Sequence, residues 1–166
     1  MRPKKVPDVV MRTKSVRNYV DRGWGFPVVF DSVRLAHVRG EWVPLVDYAR
    51  CEDAVLEALC RKPAALTGSE VRFVRLHFKL TLAEFGKALG VTHVAVRKWE
   101  KKADATTGMT WAIEKTIRLY VFRRINAHAK PFVQLFDALG QRVPSDAKPI
   151  RLPGAVIARL AFAQAG

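Results

Sequence analysis

The sequence predicts an α+β protein, mainly α, with a small N-terminal antiparallel β-sheet followed by a helical domain and C-terminal helices. Val, Phe and Trp residues concentrate between Pro27 and Asp47, which favours strands. Three capped helical patterns follow one another between Thr67 and Lys101, and 49% of the chain is hydrophobic, enough for a folded core. We expect a basic flexible arm over residues 1–18, a small α+β domain over 19–63, a helical domain over 64–126 and a helical extension over 127–166.

The N-terminal part is predicted to contain an arm, a β-hairpin and a short helix. Residues 1–18 lack clear periodicity, so we expect a flexible segment there. The β-like runs Val33–Val38 and Glu41–Val46 are separated by Arg39-Gly40, which favours a tight turn between antiparallel strands. Apolar residues on helical spacing predict a helix from Asp53 to Arg61.

The segment after residue 66 carries the strongest helical pattern. Thr67 or Ser69 can cap a first helix that runs to about Lys79. Thr81 and Thr92 are suited to capping two shorter helices, and Gly90 favours the left-handed turn that ends the earlier one. The predicted bounds of these two helices are Leu82 to Leu89 and His93 to about Lys101, and a fourth helix spans Thr110 to about Ile125.

The C-terminal part gives weaker signals. A short helix is predicted from Pro131 to Leu139, stopped by Gly140. Three prolines predict a loop from Val143 to Pro153, and a last helix is expected from Gly154 to Ala163.

Basic residues outnumber acidic ones, 29 against 15, for a formal net charge of +14. Residues 1–24 hold seven basic and two acidic residues, 66–125 hold twelve and five, and 25–65 hold five and six. A field of this sign attracts polyanions, of which nucleic acid is the commonest in a cytoplasm. The charge therefore favours nucleic-acid binding, the alternative being a merely soluble basic protein.

Membrane, secreted, metal-binding and catalytic classes lack support in the sequence. No stretch approaches the roughly 18 uninterrupted apolar residues of a membrane helix, and no signal-peptide pattern is present, so we expect a cytoplasmic protein with no membrane contact. Cys51 and Cys60 belong to no CxxC pair, so no disulfide framework, metal site or cofactor is expected. No histidine lies in a metal-ligand motif and no nucleotide-binding or hydrolase motif occurs, so no enzymatic activity is expected.

The run from Leu80 to Glu100 has the spacing of a helix-turn-helix. Gly90 would make the turn, and Ala83 and Gly86 are small where the two helices approach closely. The shared core would consist of Phe85, Leu89, Val91, Val96 and Trp99.

Three motifs link this segment to a known group: Leu66-Thr-Gly-Ser-Glu-Val-Arg-Phe-Val-Arg75, Leu89-Gly-Val and Arg97-Lys-Trp-Glu100. Through them the chain resembles the lambda-repressor and Cro-like (XRE) DNA-binding domains, and more narrowly the helix-turn-helix half of MqsA-type antitoxins. The resemblance extends weakly upstream to Tyr19. That family commonly holds zinc with two CxxC pairs in its N-terminal domain, whereas the corresponding hairpin here, His37 to Trp42, has no thiol. The resemblance thus implies a lambda-repressor-like helical domain, and no zinc is expected.

The resemblance implies a recognition helix that begins at His93 and lies in the major groove. Its base-contacting side chains would be His93, Val94, Arg97 and Lys98. Arg and Lys donate to guanine O6 and N7, His does so more weakly, and Val94 meets only a thymine methyl group. Phosphate contacts are expected from Thr81, Thr92, Lys87, Lys101, Lys102 and Arg72.

Two further assignments leave alternatives open. Arg75 and Glu100 match positions that form an ion pair in Cro-like domains, and otherwise they are two solvated charges. Lys4, Lys5 and Arg12 of the arm either follow a neighbouring minor groove or stay untethered.

The helix predicted from Thr110 to Ile125 is apolar around much of its circumference, so more than one surface must cover it. A second subunit is one candidate for that cover, and packing within the chain is equally compatible. The dimer interface would then include Trp111, Ile117, Tyr120 and Val121.

Together these features predict a sequence-specific, double-stranded DNA-binding regulator, a repressor that binds an inverted-repeat operator as a homodimer. The alternative is an antitoxin-like role, in which the nearly neutral residues 25–65 bind a partner toxin through exposed Trp24, Phe26 or Trp42 while the helix-turn-helix regulates the operon. RNA binding is disfavoured because the A-form major groove excludes a recognition helix.

Overall fold

Strands near the N-terminus and helices after them make up the structure, a computed structural model that describes residues 12–126, 129–140 and 148–162. The predicted α+β class and the predicted order of sheet and helices are confirmed. The strands are β1 (Thr13–Asp21), β2 (Val28–Val38), β3 (Glu41–Pro44) and β4 (Ile150–Leu152). The helices are α1 (Tyr48–Arg61), α2 (Gly68–His77), α3 (Leu82–Leu89), α4 (His93–Glu100), α5 (Trp111–Ile125), α6 (Ala129–Gly140) and α7 (Gly154–Phe162).

The long strand β2 organises the sheet because every other strand pairs with it. β1 runs antiparallel along its whole length, from the pair Thr13 and Ala36 to the pair Asp21 and Val28. β3 pairs with the end of β2 in an antiparallel hairpin, and β4 pairs in parallel with the beginning of β2. The hairpin turn is the predicted one, since Arg39 and Gly40 both have positive φ, 49° and 90°, as a type I′ hairpin turn requires.

Two expectations for the sheet are wrong. Thr13 to Asn18 belong to β1 instead of a flexible arm, and their sequence hides this because an edge strand exposed on one side needs little apolar alternation. Ile150 to Leu152 form β4 inside the predicted loop, where Pro149 and Pro153 flank the strand without interrupting it. Lys4 and Lys5 lie outside the described residues.

The helix α1 begins at Tyr48, earlier than the predicted Asp53, because the Asp47 carboxylate accepts a hydrogen bond from the backbone N–H of Arg50 and caps it. Its apolar face, which includes Val55, Leu56 and Leu59, packs against the sheet and α5 within one cluster of buried side chains. That cluster continues across the predicted boundary after residue 63 into α2, α3 and α4. The helices α2, α3 and α4 therefore share one hydrophobic core with the sheet and α1.

Four charged side chains are buried where α1, α2 and α5 meet. The Lys62 ammonium donates to both Glu70 carboxylate oxygens, at 2.7 and 2.9 Å. Arg118 pairs with Glu114 one turn away and donates to the backbone carbonyl of Ala64 at 2.7 Å. All four side chains are at most 3% exposed, and buried charges are tolerated only when they are paired in this way. The cluster fixes the start of α2 against α5.

The helices α6 and α7 lie close to their predicted positions. Leu135 and Leu139 of α6 and Ile157 of α7 join the buried cluster. None of the helices in the described ranges is both long and apolar enough to span a lipid bilayer.

Candidate nucleic-acid interface

The helices α3 and α4 are joined by a three-residue turn, Gly90 to Thr92. Gly90 has φ of 70°, the left-handed conformation predicted for it, and its N–H bonds back into the end of α3. Gly86 is required by a close approach, because a Cβ there would lie 2.7 Å from the carbonyl oxygen of Val91. Both glycines thus serve the tight packing of α4 on α3.

The expected core beneath α4 is present. Phe85, Leu89, Val96 and Trp99 are buried, and Val91 is half-buried at the turn. These side chains leave the opposite face of α4 directed away from the protein, as amphipathic packing dictates.

The outer face of α4 carries the four predicted base-contacting residues together. His93, Val94, Arg97 and Lys98 are all exposed and lie on one helical face. Val94 is 61% exposed, the highest value among the large exposed hydrophobic residues of the described chain. The side chains of His93, Arg97 and Lys98 make no hydrogen bond or ion pair within the described ranges.

Each of the helices α2, α3 and α4 begins with a threonine cap. Thr67, one of two predicted candidates for α2, accepts from the N–H of Glu70, and the Glu70 carboxylate accepts from the Thr67 N–H. Thr81 and Glu84 form the same reciprocal box on α3. Thr92 accepts from the N–H of Ala95, and the first turn of α4 holds no acidic residue. The N-terminus of α4 alone among these three is therefore open to an anion.

The structure argues against Thr81 as a phosphate contact. Its N–H and its hydroxyl both donate to the same Glu84 carboxylate oxygen, each at 2.8 Å. The backbone hydrogen bond from Thr81 lowers the pKa of Glu84, which is fully exposed, so a negative charge stands where the phosphate was expected.

The other predicted phosphate contacts are placed as follows. Thr92, Lys87, Lys101 and Lys102 are exposed on α3, α4 or their ends. Arg72 is exposed on α2, where it lines a cleft that also includes Trp24 of the β1–β2 turn.

The predicted ion pair between Arg75 and Glu100 is present and joins α2 to the end of α4. Arg75 donates from Nε to Oε1 of Glu100 at 2.6 Å and from Nη2 to Oε2 at 2.9 Å. This hydrogen bonding raises the pKa of Arg75 above its usual value. The two side chains are only 12% and 11% exposed, so the alternative of two solvated charges is wrong.

The predicted dimer interface on α5 is wrong for Ile117 and Val121. Both are buried by their own chain, in the cluster shared with α1 and α3. Tyr120 is half-buried against Phe78 and Phe85, and Trp111 is half-buried with Arg118 over its ring. Packing within the chain, the alternative that the sequence left open, thus covers Ile117 and Val121 fully and Trp111 and Tyr120 in part.

Of the three aromatic residues predicted to contact a partner, two are buried. Trp24 and Phe26 are buried, so they are not available to a partner as expected. Trp42 is 38% exposed on β3, with the Lys14 ammonium 4.2 Å from its ring centroid and His37 stacked edge-on beside it.

Sequence reasoning missed two sets of contacts beside the candidate interface. The first is the buried cluster of Lys62, Glu70, Glu114 and Arg118. Its available signal was that Glu114 and Arg118 lie one turn apart among the apolar residues of α5. The second is Asp104, which lies just after α4 and accepts hydrogen bonds from Arg22 at 3.0 Å and Ser69 at 3.4 Å. Nothing in the sequence near Asp104 indicates this long-range tether.

The chain matches no protein-family model, no curated protein and no solved structure. Among the residues that the structure describes, no group of three or more His, Cys, Asp or Glu side chains is arranged to hold a metal ion. Cys51 and Cys60 are buried free thiols, and burial raises the pKa of Cys60 to about 12.

Proposed function

We propose that this protein is an XRE-like, sequence-specific regulator that binds double-stranded DNA with α4 in the major groove. The observation that carries the proposal is the outer face of α4, where three polar side chains and one valine are exposed without partners in the described chain. An α-helix with its side chains is about 10–12 Å in diameter, which a major groove about 12 Å wide admits.

The chemistry of this face supports reading of base edges. Arg97 and Lys98 offer donors to guanine O6 and N7, and His93 offers a weaker one at the start of the helix. Val94 has no polar group, so its complement in the groove is the thymine methyl group. An exposed valine beside Arg97 and Lys98 is poorly suited to water and well suited to that contact.

Phosphate contacts would fix the register of α4. The open N-terminus of α4 at Thr92 and the exposed Lys87, Lys101 and Lys102 supply positive field around the recognition face. Their contribution does not depend on base sequence and weakens steeply with salt.

We further propose a homodimer on an inverted-repeat operator, acting as a repressor in the cytoplasm at the nucleoid. One recognition helix reads about 4 to 6 bases, and two-fold pairs of such helices gain affinity by reading two half-sites. The dimer interface lies outside Ile117 and Val121, since both are buried within one chain.

The test starts with selection of bound duplexes from random DNA, followed by titration of wild type, Arg97→Ala and Lys98→Ala. Each substitution is expected to cost about 1–3 kcal/mol on the selected site and less on random duplex. Arg123→Ala, an exposed arginine on α5 outside this face, is the matched control and should leave both affinities unchanged. Equal losses on both DNAs would reassign the residues to phosphate contact, and equal affinity for every duplex at moderate salt would overturn the proposal.

A second candidate function is antitoxin-like binding of a protein partner through the β2–β3 hairpin. Val38, Trp42 and Val43 are large hydrophobic residues exposed on this hairpin. Trp42 lies on one face beside its partner His37, whereas Val38 and Val43 lie on the other. Trp42 is the largest of the three, so its face is the candidate contact surface. Trp42→Ser should abolish stoichiometric recovery of a partner from the native host and leave DNA binding intact. Recovery of no stoichiometric partner by the wild-type protein would remove this candidate.

A further inference from the structure

A cleft of about 400 Å³ lies between α2 and the turn that joins β1 to β2. Trp24 of the turn forms part of its wall, and Arg72, Phe73 and Leu76 of α2 form another part. None of the residues on the outer face of α4 lines it. Its volume is in the range of small-molecule sites in proteins.

The apolar side of the cleft is aromatic. The rings of Trp24 and Phe73 meet edge to face with centroids 6.1 Å apart. Leu76 is 51% exposed at the rim, where it would be covered by a ligand with an apolar body. Burial of such apolar surface favours binding.

The cleft also contains a cationic side chain, Arg72. The Arg72 guanidinium makes no hydrogen bond or ion pair with any residue that the structure describes. Glu52, the acid bordering the cleft, is already engaged by His77 Nδ1 at 2.9 Å. The exposed Arg72 guanidinium is therefore the group that can pair with an anion entering the cleft.

We propose that this cleft binds a small organic carboxylate with an aromatic or branched apolar body. The carboxylate pairs with Arg72, whose planar guanidinium can hold it through two parallel hydrogen bonds. The body lies against Trp24, Phe73 and Leu76. This site uses no residue of α4, and of the predicted DNA contacts it includes only Arg72, a phosphate contact.

The experiment is an NMR titration of the full chain with phenylacetate and 4-methylpentanoate, each compared with its neutral amide. We expect saturable shifts of the Trp24 indole signal and of α2 amide signals with the acids. Binding should weaken about tenfold or more for the amides and for Arg72→Gln, because both remove the charge-assisted pair. Leu76→Ala should weaken it as well.

Matched controls separate this site from the rest of the molecule. Arg123→Gln changes another exposed helical arginine and should bind the acids like wild type. Arg97→Ala should also bind them normally, so failure of the DNA proposal leaves this one standing. Since Arg72 is exposed, Arg72→Gln should melt like wild type.

Three results would overturn the proposal. One is absence of saturable shifts with either acid up to about 10 mM, a concentration at which even weak binding is detected. Another is equal binding of the acid and its amide, which would show that the cleft recognises the apolar body and not the carboxylate. The last is unchanged binding by the folded Arg72→Gln variant.

Discussion

Arg75 and Glu100 form a bidentate ion pair that joins the last turn of α2 to the end of α4. While two guanidinium nitrogens hold the Glu100 carboxylate, the third, Nη1, donates to the backbone carbonyl of Leu80 at 2.8 Å. Leu80 immediately precedes the cap of α3. One arginine thus contacts the end of α4 and the residue before the cap of α3, and it sets both relative to α2.

Arg75→Ala is expected to lower the free energy of unfolding by about 1–3 kcal/mol, because it leaves a nearly buried carboxylate and a carbonyl without donors. Operator affinity should fall in parallel, since the end of α4 loses its anchor. Urea unfolding and DNA titration measure the two effects. Arg75→Lys should recover only part of each, because lysine cannot form the parallel pair. An unchanged unfolding midpoint in Arg75→Ala would show that the pair contributes nothing.

Glu84→Gln is expected to strengthen operator binding about two- to tenfold at low salt, because it removes a negative charge at the N-terminus of α3 and keeps an oxygen acceptor for Thr81. The gain should shrink as salt is raised. Equal affinity of variant and wild type at low salt would place the α3 N-terminus away from the DNA backbone.

The pH dependence of stability supplies a control for the Glu84 variant. The Thr81 hydrogen bonds lower the pKa of Glu84 below its usual value of 4.5 in the folded state. A carboxylate with a lowered folded pKa contributes stability above the unfolded pKa and loses it as pH falls through the folded one. Wild type should therefore be more stable than Glu84→Gln at neutral pH, and thermal melting should show the difference vanish in acid.

Local sequence signals predicted the helices of the candidate interface well. Thr67, Thr81 and Thr92 cap helices where they were expected to, and Gly90 adopts the left-handed turn, because caps and turns are satisfied by backbone groups a few residues away. The exposed face of α4 followed from its buried one, since Val96 and Trp99 fix the rotation of the helix.

Predictions from local sequence were wrong where an element depends on contacts with residues far away in the chain. β4 is a strand because residues 150–152 meet the start of β2, more than a hundred residues away in the chain, and three residues carry too little pattern to show it. Ile117 is covered by the chain itself, but a helix apolar on most sides gives no indication of which surface covers it. The sequence predicted that Trp24 and Phe26 are exposed and available to a partner. They are buried because they pack against Phe73 of α2, a contact that the local sequence does not indicate.

Arg118→Met is expected to destabilise the fold by about 3–5 kcal/mol, because removing one partner leaves Glu114 as an uncompensated buried charge. The backbone carbonyls of Cys60 and Ala64 also lose their donor. Chemical unfolding measures the loss. Arg123→Met, an exposed position on the same helix, should stay within about 0.5 kcal/mol of wild type. Similar stability of both variants would mean that the buried cluster does not hold α5 in place.

Ile117→Ala separates packing within the chain from packing between chains. Ile117 is 0% exposed in a single subunit, so its truncation should cost about 2–5 kcal/mol by leaving a cavity in the core. That loss should be the same at every protein concentration, because the cavity forms inside one chain. A residue at a dimer interface would instead destabilise the protein more at low concentration, since mass action couples its contacts to association. Denaturant unfolding over a wide dilution series distinguishes the two, and a concentration-dependent loss would return α5 to the list of dimer surfaces.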